Sequence, residues 1–169
     1  DYSAVPARVV KVACVMDEFT FHSYEPECEL LQLSPNHAIA ELEAFAQRQG
    51  DEASRGSVWR AQLAYARARR ALINGDQIES AVLFEEVVQR FDECGDRNNA
   101  CVYRISAGFS YNIIGAFARA RELLEQAIVL AEDLALPRAV ANAKSNLGIS
   151  LARLGLFAQA EQVEREALA

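Results

Sequence analysis

No apolar run in the sequence approaches the roughly 20 residues a membrane helix needs. The N-terminus has neither the basic nor the apolar region of a secretory signal. A cytoplasmic location is therefore expected. Basic residues are the minority, 17 against 24 acidic for a formal charge of −7, which argues against a nucleic-acid surface. The four cysteines, Cys14, Cys28, Cys94 and Cys101, include no CxxC pair, and only His22 and His37 could join them. Neither a zinc site nor a disulfide framework is expected, but free and mostly buried thiols, and no cofactor is implied. An initiating Met is also lacking: the chain starts at Asp1 and stops at Ala169 inside an apparent helix, as a fragment would.

What the sequence does have is enough apolar material for a core, 51% of 169 residues, and an internal repeat. Aligning the segments around Gly108 and Gly148 pairs Ile114 with Leu154, Gly115 with Gly155, Phe117 with Phe157, Ala120 with Ala160 and Ala127 with Ala167, at a constant offset of 40. The same step backwards reaches Ala68, Gly75, Ser80 and Val87, a more diverged first copy. Each copy reads as two antiparallel helices. Gly75, Gly115 and Gly155 follow apolar helical runs, where a left-handed residue closes a helix. Gly108 and Gly148 lie mid-helix at a cost of about 1 kcal/mol each, which points to close helix contact, with Ala120 and Ala160 as the small residues opposite. Phe84, Val87, Val88 and Phe91, then Leu123, Leu124, Ala127 and Leu130, then Val163 and Ala167, mark the buried stripe of the second helices. Trp59 is expected as a core anchor. Arg67, Arg69 and Arg70 are expected on a solvated face, paired with the acidic second helix that carries Glu79, Glu85 and Glu86.

The stretch "NLGISLARLGLFAQAE" resembles a tetratricopeptide (TPR) unit through Leu147, Gly148, Leu151, Gly155, Phe157, Ala160 and Ala167. In the second copy Gly108, Tyr111, Gly115, Phe117, Ala120 and Ala127 fit the same signature. The period is that of the longer TPR units found in kinesin light chains and in bacterial signalling ATPases and kinase-linked regulators. The resemblance implies a concave face, lined by the first helix of each pair, that binds a partner protein. Carried across, that face holds Gln62, Tyr65 and Arg69, then Val102, Ile105, Phe109 and Asn112, then Asn142, Ser145, Ile149 and Ala152, with packing against a neighbouring repeat as the other expectation for Val102 and Ile105. The basic clamp with which some TPR proteins hold a terminal carboxylate is not reproduced, so an amphipathic or extended apolar segment is the better match.

Residues 1–50 read differently. Val9 to Met16 has the pattern of a buried strand, Leu30 to Leu33 that of a shorter one, and "SPNHAIAELEAFAQR" that of a helix capped by Ser34 with Ile39, Leu42, Phe45 and Ala46 as its apolar stripe. The wording of residues 9–45 resembles the N-terminal part of bacterial GT-B glycosyltransferases. The strands that should come next and a donor-binding domain are missing, which leaves Asp17, Glu18 and His22 as a vestigial ligand site at most.

The expected architecture is therefore mainly α: a TPR-like α-solenoid of three antiparallel helix pairs over residues 57–169, the last incomplete, behind a small β-loop-β-α element in residues 1–50. The expected function is a protein–protein interaction scaffold without enzymatic activity. The alternatives are a glycosyltransferase fragment fused to repeats, or the sensor region of a bacterial serine/threonine kinase-type regulator. The second helix of the last pair, Leu156 to Ala169, is shorter than its predecessor. Val163, Ala167, Leu151 and Leu154 are thus expected on an uncovered apolar end available for self-association.

Overall fold

The computed structural model describes residues 39–40, 44 and 58–168. Within residues 58–168 six helices succeed one another: α1 (Val58–Asn74), α2 (Gln77–Glu93), α3 (Arg97–Ile113), α4 (Phe117–Asp133), α5 (Pro137–Arg153) and α6 (Phe157–Ala167). The described residues contain no strand. The expected β-loop-β-α element lies almost wholly outside them, except that Ile39, Ala40 and Ala44 are helical and Ile39 is buried, as its place in an apolar stripe requires. The Trp59 side chain lies outside the described residues as well.

The connections explain the regularity. Among the described residues, those with φ > 0 are Gly75, Gly95, Gly115, Ala135 and Gly155, one every 20 positions. At each, the left-handed residue donates its amide to the carbonyl three residues back, and the next amide donates to the carbonyl five back, at 2.9–3.2 Å. This is the Schellman closure, which satisfies the last carbonyls of a helix while turning the chain. The residue after it is at once the N-cap of the next helix. Asp76 and Asp96 fill that place with a side chain, accepting from the amides of Glu79 at 3.0 Å and Asn99 at 3.1 Å. Ala116, Leu136 and Leu156 occupy it without a side-chain cap.

Helices joined so tightly must pack back on themselves. Each helix lies against its chain neighbours, and α3 and α5 also touch directly. The contacts are antiparallel: Cys101 of α3 reaches the carbonyl of Ala127 in α4, while Gly108 of α3 sits over Leu124. The core has two parts. The first is aromatic, with Tyr103 stacked on Phe91 at 5.1 Å between ring centres and tilted against Tyr65 at 4.8 Å, around Phe84, Val87, Val88 and Leu123. The second is built of smaller side chains, Ala120, Ala127, Ala143 and Ala160 with Ile105, Leu124, Leu147 and Leu151. The expected stripe is buried from Phe84 through Ala127, with Leu130, Val163 and Ala167 half-buried.

Two expectations need correction. Leu151 is buried, and Val163 packs on the second core, so of the four residues expected at an uncovered end Leu154 alone is exposed. The reason is that α6, although only 11 residues long, still covers the apolar side of α5. Arg69 and Arg70 do not find the acids expected for them: Glu86 pairs with Arg90 and Glu85 with Arg119, and neither Arg69 nor Arg70 has an ion pair among the described residues. Both described cysteines are free thiols, Cys101 buried and Cys94 half-buried. No described helix is long and apolar enough to cross a membrane.

Both mid-helix glycines lie in close contact with the following helix, but close approach demands glycine only at Gly108, and the side chains opposite are Leu124 and Glu164 rather than the expected Ala120 and Ala160. A Cβ at Gly108 would lie 2.6 Å from Cγ of Leu124, which is fully buried and cannot move aside. At Gly148 the obstacle is Glu164, with Cδ at 2.8 Å. That side chain is half-buried and ends in a carboxylate that can swing into water. Gly108→Ala should therefore lower stability by about 1–2 kcal/mol, overpacking outweighing the gain in helix propensity, while Gly148→Ala stays within about 0.5 kcal/mol or stabilises. Urea denaturation of both variants checks the order. Ala135, with φ 53, holds a non-glycine residue where the other four junctions have glycine. Ala135→Gly should raise stability by about 1 kcal/mol, and Gly115→Ala should lower it by a similar amount, measured in the same way.

Candidate functional site

The residues expected on the first-helix face divide into four groups. Tyr65 and Ile105 are core, with 5% and 6% of their surface exposed. Tyr65 is taken by the aromatic stack with Tyr103 and Phe84, and Ile105 by Leu147 and its neighbours in the second cluster. Asn112 is a seam residue: its Nδ2 donates to the carbonyl of Asn146 at 3.0 Å, and its Oδ1 accepts from the Ser150 hydroxyl at 2.7 Å. It fixes α3 against α5 and has little left to offer a ligand. Gln62, Arg69, Val102 and Ala152 are half-buried, and Phe109, Asn142, Ser145 and Ile149 are exposed. Asp17, Glu18 and His22 lie outside the described residues.

The exposed group contains an apolar pattern. Phe109 and Ile149 occupy equivalent positions of α3 and α5 and are 48% and 46% exposed. One turn further along, Ile73 and Ile113 occupy equivalent positions of α1 and α3 at 61% and 47%. Ile73 and Ile113 were not among the expected face residues, although the forty-residue step that relates them is readable in the sequence. Each has a charged counterpart in the remaining copy: Arg69 matches Phe109 and Ile149, and Arg153 matches Ile73 and Ile113.

A polar cluster joins the first and second pairs. The Tyr111 hydroxyl of α3 donates to Oε2 of Glu85 in α2 at 2.6 Å, while Nε of Arg119 in α4 donates to Oε1 of Glu85 at 2.8 Å and Nη1 of Arg119 to Glu122 at 2.6 Å. One carboxylate thereby ties three helices. Burial, then the hydrogen bond and charge of Glu85, push the Tyr111 phenol up to about 12, with Arg119 acting in the other direction. The hydrogen bonds that Arg119 donates to Glu122 and Glu85 raise it further. Burial also pushes the Cys101 thiol up, partly opposed by the charge of Arg104. A thiol so placed stays protonated at neutral pH and is no activated nucleophile. No three His, Cys, Asp or Glu side chains among the described residues come together as metal ligands would.

Compared with protein-family models, with curated proteins and with solved structures, the chain finds no match.

The Tyr111 bond makes stability depend on alkaline pH. The folded-state phenol titrates above its unfolded value of about 10, so the unfolded chain loses this proton first. The contribution is intact below about pH 10 and lost as pH rises towards 12. Tyr111→Phe should cost about 1 kcal/mol at neutral pH and lose less stability than the wild-type chain on going to high pH. Urea midpoints for both proteins across the alkaline range check this; parallel curves would show that Tyr111 is not the group responsible.

Proposed function

We propose that residues 57–169 form a TPR-like α-solenoid that acts as a protein–protein interaction scaffold, holding a partner peptide or helix on the concave face built by the first helices, with no chemistry of its own. The observation that carries this reading is the set of four large apolar side chains, Ile73, Phe109, Ile113 and Ile149, standing about half in water at equivalent positions of successive first helices. A chain folding for itself alone gains nothing from placing them there, and exposed apolar residues grouped on one face mark contact surfaces. Covering the exposed half of each would contribute about 1 kcal/mol per side chain. Asn142 and Ser145 add exposed hydrogen-bonding groups nearby on α5, with Gln62 and Arg69 on α1.

A peptide-display library selected on the full chain tests the reading. Enriched peptides should bind the Phe109→Glu, Ile149→Glu double variant at least tenfold more weakly, with the helical circular-dichroism spectrum of the variant unchanged. Failure to enrich any peptide, or equal binding to the variant, would overturn it.

A further inference from the structure

Charge in the described helices is sorted by layer. The first helices α1, α3 and α5 carry nine basic residues and no acidic one, whereas the second helices α2, α4 and α6 carry twelve acidic and four basic. The connections leaving the first helices add a single carboxylate, Asp76, which is engaged in capping α2. The chain as a whole is acidic, yet the layer that bears Ile73, Phe109, Ile113 and Ile149 is basic throughout, while the exposed Ile78, Val82, Val129 and Phe157 lie on the acidic second helices.

Part of that basic charge is already matched. Arg97 pairs with Asp133, Arg104 with Asp92 at 2.7 Å and Lys144 with Glu166 at 2.8 Å, each reaching from a first helix to a second. Arg69, Arg70, Arg138 and Arg153 have no ion-pair or hydrogen-bond partner among the described residues. Two of these four stand in the apolar rows themselves. From the first pair to the third, one row reads Arg69, Phe109, Ile149 and the other Ile73, Ile113, Arg153. An unpaired guanidinium thus closes each end of the apolar band.

The dimensions narrow the occupant. The two rows are one helical turn apart, about 5 Å; α3 packs directly on α5, whereas α1 meets α3 through Tyr65 and Tyr103, so the step from α1 to α5 is no less than two interaxial distances, about 20 Å. A strip so narrow suits an extended segment better than a helix about 10 Å across, and about 20 Å corresponds to roughly six extended residues. Resting on the reading of this face as a partner surface, we infer that its occupant is an extended peptide segment with an apolar centre and a carboxylate at each end, one held by Arg69 and the other by Arg153. Guanidinium groups suit this task because their fixed fork of donors matches a carboxylate.

The test uses the full chain and two fluorescein-labelled octapeptides, both alternating leucine and serine internally, one with aspartate and one with lysine at its ends. Fluorescence anisotropy should show the aspartate peptide binding roughly tenfold more tightly at low ionic strength, as two exposed charge pairs allow, and the gap closing at about 1 M salt. The Arg69→Glu, Arg153→Glu double variant, substituted at positions outside the core, should reverse the preference and favour the lysine peptide. Equal affinities, a preference unchanged in the double variant, or no binding of the aspartate peptide would each overturn the inference. If both peptides bind equally and both are lost in Phe109→Glu, the face remains a binding face and the charge inference alone falls.

Discussion

Every element of the array depends on how little chain separates one helix from the next. With two or three residues between helices, a single left-handed residue has to end one helix, reverse direction and place the next N-cap. That one geometry, used five times, fixes the antiparallel order and the offset between neighbouring helices, and through them the register in which Gly108 meets Leu124. Side-chain capping is secondary to it. The last three junctions keep the same backbone hydrogen bonds with Ala116, Leu136 and Leu156 where Asp76 and Asp96 stand earlier.

Packing between pairs rests on different chemistry at the two seams. Between the first and second pairs a broad aromatic cluster is reinforced by the carboxylate of Glu85, held from two other helices. Between the second and third the side chains are smaller, and the seam is held by Asn112 against Asn146 and Ser150. Small residues let backbones approach closely, and a hydrogen bond between neighbouring helices then fixes their slide in a way that alanine contacts cannot.

Much of this was legible in the sequence. The forty-residue step, the turn glycines and the buried stripe from Phe84 to Ala127 can be read from spacing alone, since period and burial are linked through helix geometry. The half-period of 20 was hidden because Ala135 stands where glycine would have announced it. Tyr65 was misplaced, and Ile105 left between face and core, for another reason: whether a side chain facing the next helix is covered depends on what that helix brings, and Tyr103 and Leu147 cannot be assigned from the periodicity of one helix. The exposure of Ile113 and the sorting of charge by layer were written in the residues, but they become visible only once helix boundaries say which residues share a layer.

The regular junction also limits how such an array can change length. Each connection reverses direction, so the layer a helix occupies depends on whether an odd or an even number of helices precedes it. Adding or removing a single unit of 20 residues would exchange the layers of every helix downstream, setting acidic helices among the basic ones and basic helices among the acidic. A change of 40 leaves every later helix in its place. Length in this architecture is therefore constrained by parity, and only whole pairs can be gained or lost without inverting the remainder of the array.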